Sequence, residues 1–202
     1  MNYQKLLEEE LKLIKDNKNK PKLLLHACCG PCSSYVIEYL SNFFDITIYY
    51  YNPNTYPEEE FARRLTELNR FIKEFNNNQI KVIEKEYNPQ EFYTNIRGLE
   101  HLGERSIRCY NCYELRMKES ATYAKNNNFD YFTTTLSISP YKNADWINEI
   151  GIKLEKEIGI KYLYSDFKKK NGYKRSIELS KEYDMYRQEY CGCVYSKQER
   201  EK

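Results

Sequence analysis

The cysteines are the residues of this chain best suited to chemistry, and all seven fall into three tight groups. The groups are Cys28, Cys29 and Cys32 in HACCGPC, Cys109 and Cys112 in CYNC, and Cys191 and Cys193 in CGC. Thiolates act as nucleophiles, as redox groups and as ligands for zinc and iron–sulfur centres. Cysteines that only filled a hydrophobic core would be scattered, so this grouping predicts metal binding or redox chemistry.

The N-terminal segment predicts a reducing compartment for these thiols. Residues 1–20 are too charged for a signal peptide, and no apolar run is long enough to span a bilayer. We therefore expect a cytoplasmic protein with no membrane partner. Because cytosolic thiols are kept reduced, metal binding or redox chemistry is favoured over a framework of structural disulfides. The 32 basic and 30 acidic side chains nearly cancel, so a nucleic-acid surface would have to be a local patch.

Four of the cysteines offer enough thiolates for one metal centre: Cys28, Cys29, Cys109 and Cys112. The second pair, which the pattern puts just ahead of a helix, has a spacing that fits a zinc site, a redox dithiol or an iron–sulfur site. Adjacent cysteines suit a structural zinc poorly, because its chelating pairs are usually about two to four residues apart. Neighbouring thiolates can reach separate irons of a four-iron cluster, so the spacing favours iron–sulfur over zinc.

Cys191 and Cys193 are separated by one glycine, so a disulfide between them would close a small, strained ring. Gly192 supplies the backbone freedom that such a ring needs. Strained disulfides are the reducible, catalytic kind. We interpret the pair as a shuttle that alternates between dithiol and disulfide. Two alternatives stay open, namely that both thiols bind metal, or that one only packs beneath the C-terminal tail.

Alternating strands and helices position these groups. A helix within residues 1–20 precedes five apolar strand-like segments, separated by amphipathic helices, over residues 22–196. Without an internal linker, this predicts one α/β domain, residues 1–202, whose parallel sheet has helices on both faces. Ligands of such sheets bind beyond the carboxyl ends of the strands. We therefore predict the active site at that edge, where the segments that follow the strands gather: CCGPC, NPNTYP, TTTLSISPYKN and SDFKKKNG.

Other polar residues give weaker signals. His26 lies within an apolar strand and is predicted to be a core residue, whereas His101 lies in a polar segment and is predicted to be exposed. Basic and aromatic residues alternate in residues 168–176 and 183–191, a pattern that suits phosphates and stacked bases but is also common in solvated loops. The loop after the first strand holds one glycine and no Walker motif, which argues against ATP binding.

Six stretches together resemble one family, the QueH-type epoxyqueuosine reductases. They run in the family's order from about residue 22 to residue 196: HACCGPC, YNPN-x-YP, CYNCYELRM, FTTTLSISPYKN, SDFKKKNG and YRQEYCGCVYS. The resemblance implies an adenine-nucleotide hydrolase-like (HUP-type) three-layer sandwich. It also implies the last step of queuosine synthesis, in which epoxyqueuosine at the tRNA wobble position loses its epoxide oxygen by two-electron reduction, without cobalamin and without ATP.

The resemblance further implies roles for particular residues. A [4Fe–4S] cluster would be bound by Cys28, Cys29, Cys109 and Cys112, and the redox-active disulfide would join Cys191 and Cys193. An additional iron beside the cluster is a further expectation, with Cys32 and Asp166 as its candidate ligands. The phosphates of the anticodon arm would be held by Lys168, Lys169, Lys170 and Lys174. One of the 21 tyrosines would stack on the modified base, and a separate electron donor is required.

Three other functions stay open on the motifs. An iron–sulfur-dependent tRNA sulfurtransferase of the related fold would need ATP, and the phosphate loop is missing. A zinc-stabilised RNA-binding module would explain the Cys-x-x-Cys pair and the lysines but would leave Cys-Gly-Cys without a role. A plain thiol–disulfide oxidoreductase would not need the four other paired cysteines.

Overall fold

The computed structural model describes residues 1–15, 19–76 and 79–201. Its first element is helix α1, Tyr3–Lys15, which buries Leu7, Leu11 and Ile14 at helical spacing. The predicted break after this helix, at DNKNKP, lies partly outside the described residues. Within the described ranges, no helix has the length and the apolar character that crossing a membrane requires.

Five parallel strands form one sheet in the order β3-β2-β1-β4-β5. Their bounds are Lys22–His26 for β1, Asp45–Tyr50 for β2, Lys81–Glu84 for β3, Tyr131–Thr134 for β4 and Lys161–Tyr162 for β5. The central strand β1 pairs with β2 on one side and with β4 on the other, with Leu24 opposite Thr47 and Phe132. Strands buried on both faces read as continuous apolar runs, which is why LLLH marks the middle of the sheet.

Helices cover both faces of this sheet. Their bounds are Gly30–Leu40 for α2, Glu58–Asn76 for α3, Pro89–Asn95 for α4, Ile107–Asn126 for α5, Ala144–Ile158 for α6, Gly172–Glu182 for α7 and Val194–Arg200 for α8. Alternate side chains of β1 point to opposite faces. Leu23 and Leu25 pack in the cluster that contains α2 and α3, whereas Leu24 packs in the cluster that contains α5 and α6. The predicted α/β architecture is confirmed, with helix layers on both sides of a parallel sheet.

The structure differs from the sequence-based expectation around the second cysteine pair. Helix α5 begins at Ile107, after Ser106 in an extended conformation, so Cys109 and Cys112 lie in its first two turns rather than ahead of it. Serine favours the position just before a helix, and nothing in IRCYNC interrupts one. Residues three apart share a helix face, so both thiols belong to one side of α5.

The fifth predicted strand is also shorter than its apolar run, IKYLYSDF. Only Lys161 and Tyr162 pair with β4, opposite Tyr131 and Phe132, and beyond them the Leu163 carbonyl oxygen accepts a hydrogen bond from the Thr133 hydroxyl at 2.9 Å. β4 ends at Thr134, and the chain continues as a 3₁₀ turn, Thr135–Ile138. The Thr134 hydroxyl oxygen accepts a hydrogen bond from the Leu136 amide and so starts that turn. Beyond these strand ends the chain is free to line a cavity.

Candidate active site

Three thiols meet where β1 leads into α2. The Sγ atoms of Cys28, Cys29 and Cys32 all lie within 4.8 Å of one another, and those of Cys28 and Cys29 are 3.8 Å apart. Cys29 precedes the first residue of α2, and Pro31 occupies its first turn, where a proline leaves no intrahelical hydrogen bond unmade. Three convergent soft donors could hold a metal ion.

Burial and neighbouring charges shift the pKa values of these three thiols in different directions. Hydrogen bonds from Cys29 and Cys32 lower the pKa of Cys28, and the charges of Lys142 and Arg116 lower it further against the effect of burial. Burial raises the pKa of Cys29 to about 12, and the contacts with Cys28 and Cys29 raise the pKa of Cys32. The surroundings therefore favour ionisation of Cys28 over ionisation of Cys29 or Cys32. The Gln188 amide also donates to Cys29 Sγ at 2.9 Å.

The two thiols of α5 have different surroundings. Cys109 is half-buried and lines a cavity at the carboxyl edge of the sheet. Cys112 is buried in a cluster with Phe92, Ile96 and Cys193. Burial raises the pKa of both thiols, that of Cys112 to about 11. Both positions lie near the N-terminus of α5, where the helix dipole favours negative charge and therefore favours thiolate ligands.

One cavity brings the three cysteine groups together. It has a volume of about 140 Å³, and Cys28, Cys32, Cys109 and Cys191 all line it. It lies beyond the carboxyl ends of β1 and β4, the sheet edge at which α/β proteins bind ligands. Each of the three cysteine groups therefore contributes at least one thiol to this one cavity.

The Cys-Gly-Cys loop is held by its backbone. The buried Arg64 guanidinium donates to the Cys191 carbonyl oxygen at 3.1 Å and to the Tyr190 carbonyl oxygen at 3.2 Å. The Gly192 carbonyl oxygen accepts from the Tyr56 amide at 2.8 Å. Gly192 has a φ of +133°, and a Cβ there would lie 2.9 Å from Arg64 Nη1. Glycine is therefore required for both its conformation and its closeness to Arg64.

The two thiols of this loop face different partners. Cys193 immediately precedes α8, and its Sγ accepts a hydrogen bond from the Ser196 amide at 3.4 Å. It packs against Cys112, and burial raises its pKa to about 12. Cys191 instead lines the cavity. Both are free thiols in this structure, so the disulfide between them stays a prediction.

A buried arginine, Arg116, lies among the thiols, and none of the described carboxylates pairs with it. Arg116 Nε donates to the Cys112 carbonyl oxygen at 3.2 Å, and Nη1 donates to Asn52 Oδ1 at 3.4 Å. Its Nη2 has no partner among the described residues, and no carboxylate of those residues lies within ion-pair distance of it. Burial opposes the charge of Arg116, but the charges of Cys112, Cys191 and Cys28 raise its pKa overall.

A buried charge without a counter-charge costs several kcal/mol, about 3 to 5 when one partner of a pair is lost. The thiols around Arg116 supply the missing negative charge only when they are ionised, as metal ligands are. The donor set and the orphaned Nη2 therefore fit an anionic, thiolate-ligated group. Thiols that could ligate a metal thus lie close to a buried arginine that could balance their negative charge.

A model of one protein family matches residues 23–199, a stretch that contains all seven cysteines, and its description is "Epoxyqueuosine reductase QueH". The chain belongs to this QueH family. Three curated proteins named epoxyqueuosine reductase QueH illustrate the similarity. That of Streptococcus pyogenes serotype M1 is 44% identical over 97% of this chain and 78% of its own length. That of Staphylococcus epidermidis is 41% identical over 97% of this chain and 84% of its own length. That of Thermotoga maritima is 34% identical over 88% of this chain and 91% of its own length.

In this QueH-family chain, other residues predicted to act at the site lie outside the cavity lining. Asp166 is buried in a neighbouring cleft, and its carboxylate pairs with Lys168 at 2.5 Å. Lys170 pairs with Glu8 of α1. The remaining two lysines of the predicted phosphate-binding set, Lys169 and Lys174, are exposed. Asp166 and the four lysines therefore lie next to the cavity rather than in its wall, and their roles stay predictions.

The two histidines lie where the sequence predicts them. His26 is fully buried, its Nε2 donates to the Tyr51 carbonyl oxygen at 3.0 Å, and its Nδ1 accepts from the Thr134 hydroxyl at 2.8 Å. A carbonyl oxygen can only accept, which assigns the proton to Nε2. Burial, reinforced by the charge of Arg116, lowers the pKa of His26 to about 4. His101 is exposed.

Sequence reasoning missed the cations of the QueH site. Lys142 lines the cavity, and although burial opposes its charge, the charges of Cys191 and Cys28 raise its pKa. Its position in SPYKN, at the end of the fourth predicted strand, is a signal that could have identified it. Arg116 had no such signal, because an arginine in ELRMKES looks like an ordinary solvent-facing helix residue.

Proposed function

We propose that this chain removes the epoxide oxygen of epoxyqueuosine in tRNA to give queuosine, in the cytoplasm and with an iron–sulfur cluster at the cysteine cavity. One observation supports this best: thiols from three distant parts of the chain line one cavity, near a buried arginine that has no carboxylate partner among the described residues. The names of the curated QueH relatives describe the same reaction. The chemistry below follows from the residues that surround the cavity.

The proposed ligands of a [4Fe–4S] cluster are Cys28, Cys29, Cys109 and Cys112. When bound, such a cluster supplies single electrons next to the cavity. Cys32 is the proposed ligand of an additional iron, because its Sγ belongs to the same group as those of Cys28 and Cys29. Asp166 is the less suited of the two candidates, because its carboxylate already pairs with Lys168.

The Cys191–Cys193 dithiol is the proposed source of the two electrons and two protons. Both carbon–oxygen bonds of the epoxide break, a carbon–carbon double bond forms, and the oxygen leaves as water. The dithiol becomes a disulfide, which balances the electrons and protons of one turnover. Cys193 keeps its proton at neutral pH because its pKa is raised to about 12. An external electron donor must then reduce the disulfide before the next turnover.

Lys142 is the proposed partner of the leaving oxygen. Its side chain lines the same cavity as Cys191, and the surrounding thiolates favour its protonated form. A proton held at Nζ would hydrogen-bond to the epoxide oxygen and stabilise the negative charge that develops as a carbon–oxygen bond breaks. Exclusion of water from a partly closed cavity strengthens this interaction.

The proposed phosphate contacts of the anticodon arm involve the lysine cluster that follows β5. Lys169 and Lys174 are exposed and suit this role directly. Lys168 and Lys170 would contribute after exchanging Asp166 and Glu8 for phosphate. Phosphate contacts fix the register of the RNA and make binding salt-dependent.

The test uses protein purified without oxygen and tRNA that carries epoxyqueuosine. We expect about four irons and four sulfides per chain, a visible absorption band that dithionite bleaches, and conversion to queuosine, measured by mass spectrometry of the digested tRNA. A parallel reaction with and without ATP separates the reductase from a sulfurtransferase, which would depend on ATP. Zinc without sulfide, and no conversion, would contradict the proposal and favour the RNA-binding module.

A further inference from the structure

One tyrosine stands apart at the mouth of the cysteine cavity. Tyr141 is 54% exposed, and it is the single exposed tyrosine among the described residues that line the cavity. The other lining tyrosines are Tyr113, which is buried, and Tyr173 and Tyr190, which are half-buried. The Tyr141 hydroxyl also makes no hydrogen bond to any part of the chain that the structure describes. The Tyr141 ring is therefore accessible, and its hydroxyl is free to meet a ligand.

Two arginines flank this ring. The guanidinium carbon of Arg105 lies 5.8 Å from the centroid of the Tyr141 ring, and that of Arg200 lies 5.7 Å from it. Both arginines line the same cavity. Neither has a described carboxylate within ion-pair distance, so their charges are available to a ligand.

The positions of these two arginines depend on each other. Arg105 has a φ of +64°, in the left-handed region that few residues other than glycine adopt. The preceding residue, Glu104, donates its backbone N–H to Glu199 Oε2 at 3.3 Å, and Glu199 is the neighbour of Arg200. Arg108, which is buried, reaches the same Glu199 carboxylate at 3.3 Å. The loop before α5 and the end of α8 are thus joined on the side that presents both guanidiniums.

The rim carries an excess of positive charge. Its cations are Arg105, Lys142, Arg187 and Arg200, and its carboxylates are Glu104 and Glu189. Of these carboxylates, Glu104 already accepts a hydrogen bond from Ser196. An exposed aromatic ring with guanidiniums beside it matches the chemistry of an unpaired nucleotide, because a base can stack on the ring while its phosphates meet the cations.

We propose that Tyr141, flanked by Arg105 and Arg200, is the stacking site for an unpaired nucleobase next to the nucleoside that reacts in the cavity. The two guanidiniums then contact the phosphates on either side of that base. This site rests on the proposed tRNA substrate, and it is separate from the lysine cluster after β5. A nucleoside can enter the cavity only when it is unstacked from its neighbours, and the ring of Tyr141 replaces the lost stacking partner.

The experiment measures RNA binding by the anaerobically purified holoprotein. The probe is an anticodon stem-loop RNA with 2-aminopurine next to the wobble position, whose fluorescence falls when the base stacks. We expect Tyr141→Leu to bind roughly 5- to 100-fold more weakly and to lose the fluorescence quenching, because stacking on one aromatic ring contributes that range. Tyr141→Phe keeps the ring and is expected to keep both signals.

Charge variants provide a second, independent measurement. Arg105→Gln and Arg200→Gln are each expected to lower the slope of log affinity against log salt by about one. Arg97→Gln is the matched control, because Arg97 is exposed but does not line the cavity, and it should leave the slope unchanged. Wild-type protein that converts tRNA while Tyr141→Leu binds and quenches normally would overturn the stacking site alone. Wild-type protein that does not bind the RNA would overturn both the site and the proposed function.

Discussion

Arg116 and Cys112 lie one turn apart on α5, and the buried guanidinium donates to the Cys112 carbonyl oxygen while its Nη2 has no partner among the described residues. The buried guanidinium lies near Cys112, Cys191 and Cys28, and one of its nitrogen atoms is left without a described hydrogen-bond partner. Hydrogen bonds and positive charge near the sulfurs of an iron–sulfur cluster raise its reduction potential, because they stabilise the more negative reduced state. We therefore expect Arg116 to raise the reduction potential of the proposed cluster.

We expect Arg116→Gln to make the midpoint potential of the bound cluster more negative. A loss of about 1.4 kcal/mol in the stabilisation of the reduced state corresponds to about 60 mV for a one-electron couple. The measurement is a redox titration followed by the visible band, at equal iron content. Arg97→Gln serves as the control for an exposed arginine that does not line the cavity, and an unchanged potential in Arg116→Gln would refute this role.

Cys109→Ala is expected to abolish cluster binding, because it removes one of four proposed ligands. Iron and sulfide per chain should fall to near zero after reconstitution, while the circular dichroism spectrum stays that of an α/β protein. Cys32→Ala is the informative comparison, since it should remove at most the additional iron and leave the sulfide content unchanged. Equal losses in the two variants would show that Cys32 is itself a cluster ligand.

Cys193→Ser is expected to keep the cluster and lose turnover. Serine retains an oxygen that can accept the hydrogen bond from the Ser196 amide, and serine is a favourable residue before a helix, so α8 should stay folded. It cannot form a disulfide with Cys191. Iron content and thermal unfolding should match the wild type while queuosine formation stops. A fully active Cys193→Ser protein would contradict the dithiol shuttle.

Gly192→Ala is expected to destabilise the protein by about 1 to 3 kcal/mol and to slow turnover. The backbone there has a φ of +133°, and the added Cβ would lie 2.9 Å from Arg64 Nη1, so the Cys-Gly-Cys loop must shift. Denaturant unfolding measures the first effect and the tRNA assay the second. Gly103→Ala is the matched control: a Cβ there would meet nothing closer than 4.0 Å, so its unfolding midpoint should stay within error of the wild type.

Removal of the iron is expected to lower the unfolding temperature, because a group that binds only the folded state stabilises it by mass action. Arg116 should account for part of this difference, since without thiolates its buried charge is uncompensated. In Arg116→Met the apoprotein should therefore be no less stable than the wild-type apoprotein. The test is differential scanning calorimetry of the wild type and of Arg116→Met, each with and without iron. An Arg116→Met apoprotein much less stable than the wild-type apoprotein would contradict the argument.

The order of strands and helices was predictable because buried parallel strands and amphipathic helices have distinct periodicities. The LLLH run of β1 and the helical spacing of Leu7, Leu11 and Ile14 illustrate both patterns. Topology predicted the position of Cys28, Cys29 and Cys32 at the carboxyl edge of the sheet, because they follow β1. The other two cysteine groups were linked to them only by the number of thiolates that a metal centre needs and by the family resemblance. The short α4 and α8 were missed because seven residues carry too little periodicity to distinguish a helix from a turn.

The parts of the site that were not predicted depend on packing between distant segments, which the local sequence pattern does not reveal. Arg116 was assigned no role because helix periodicity does not tell whether an arginine meets solvent or a buried group of thiols. The selection of Tyr141 from 21 tyrosines required its exposure and its two neighbouring guanidiniums. The start of α5 ahead of Cys109 depended on the conformation of Ser106.

The cavity wall joins residues made at different times during synthesis. Cys28 and Cys32 belong to the first strand–helix unit, whereas Cys191 and Arg200 lie within the last twelve or so residues of the 202 in the chain. Proteins begin to fold from the N-terminus while they are still being made. The body of the sheet can therefore form before this part of the cavity wall is made, and we expect the cavity to take its final shape only once Cys191 and Arg200 are in place.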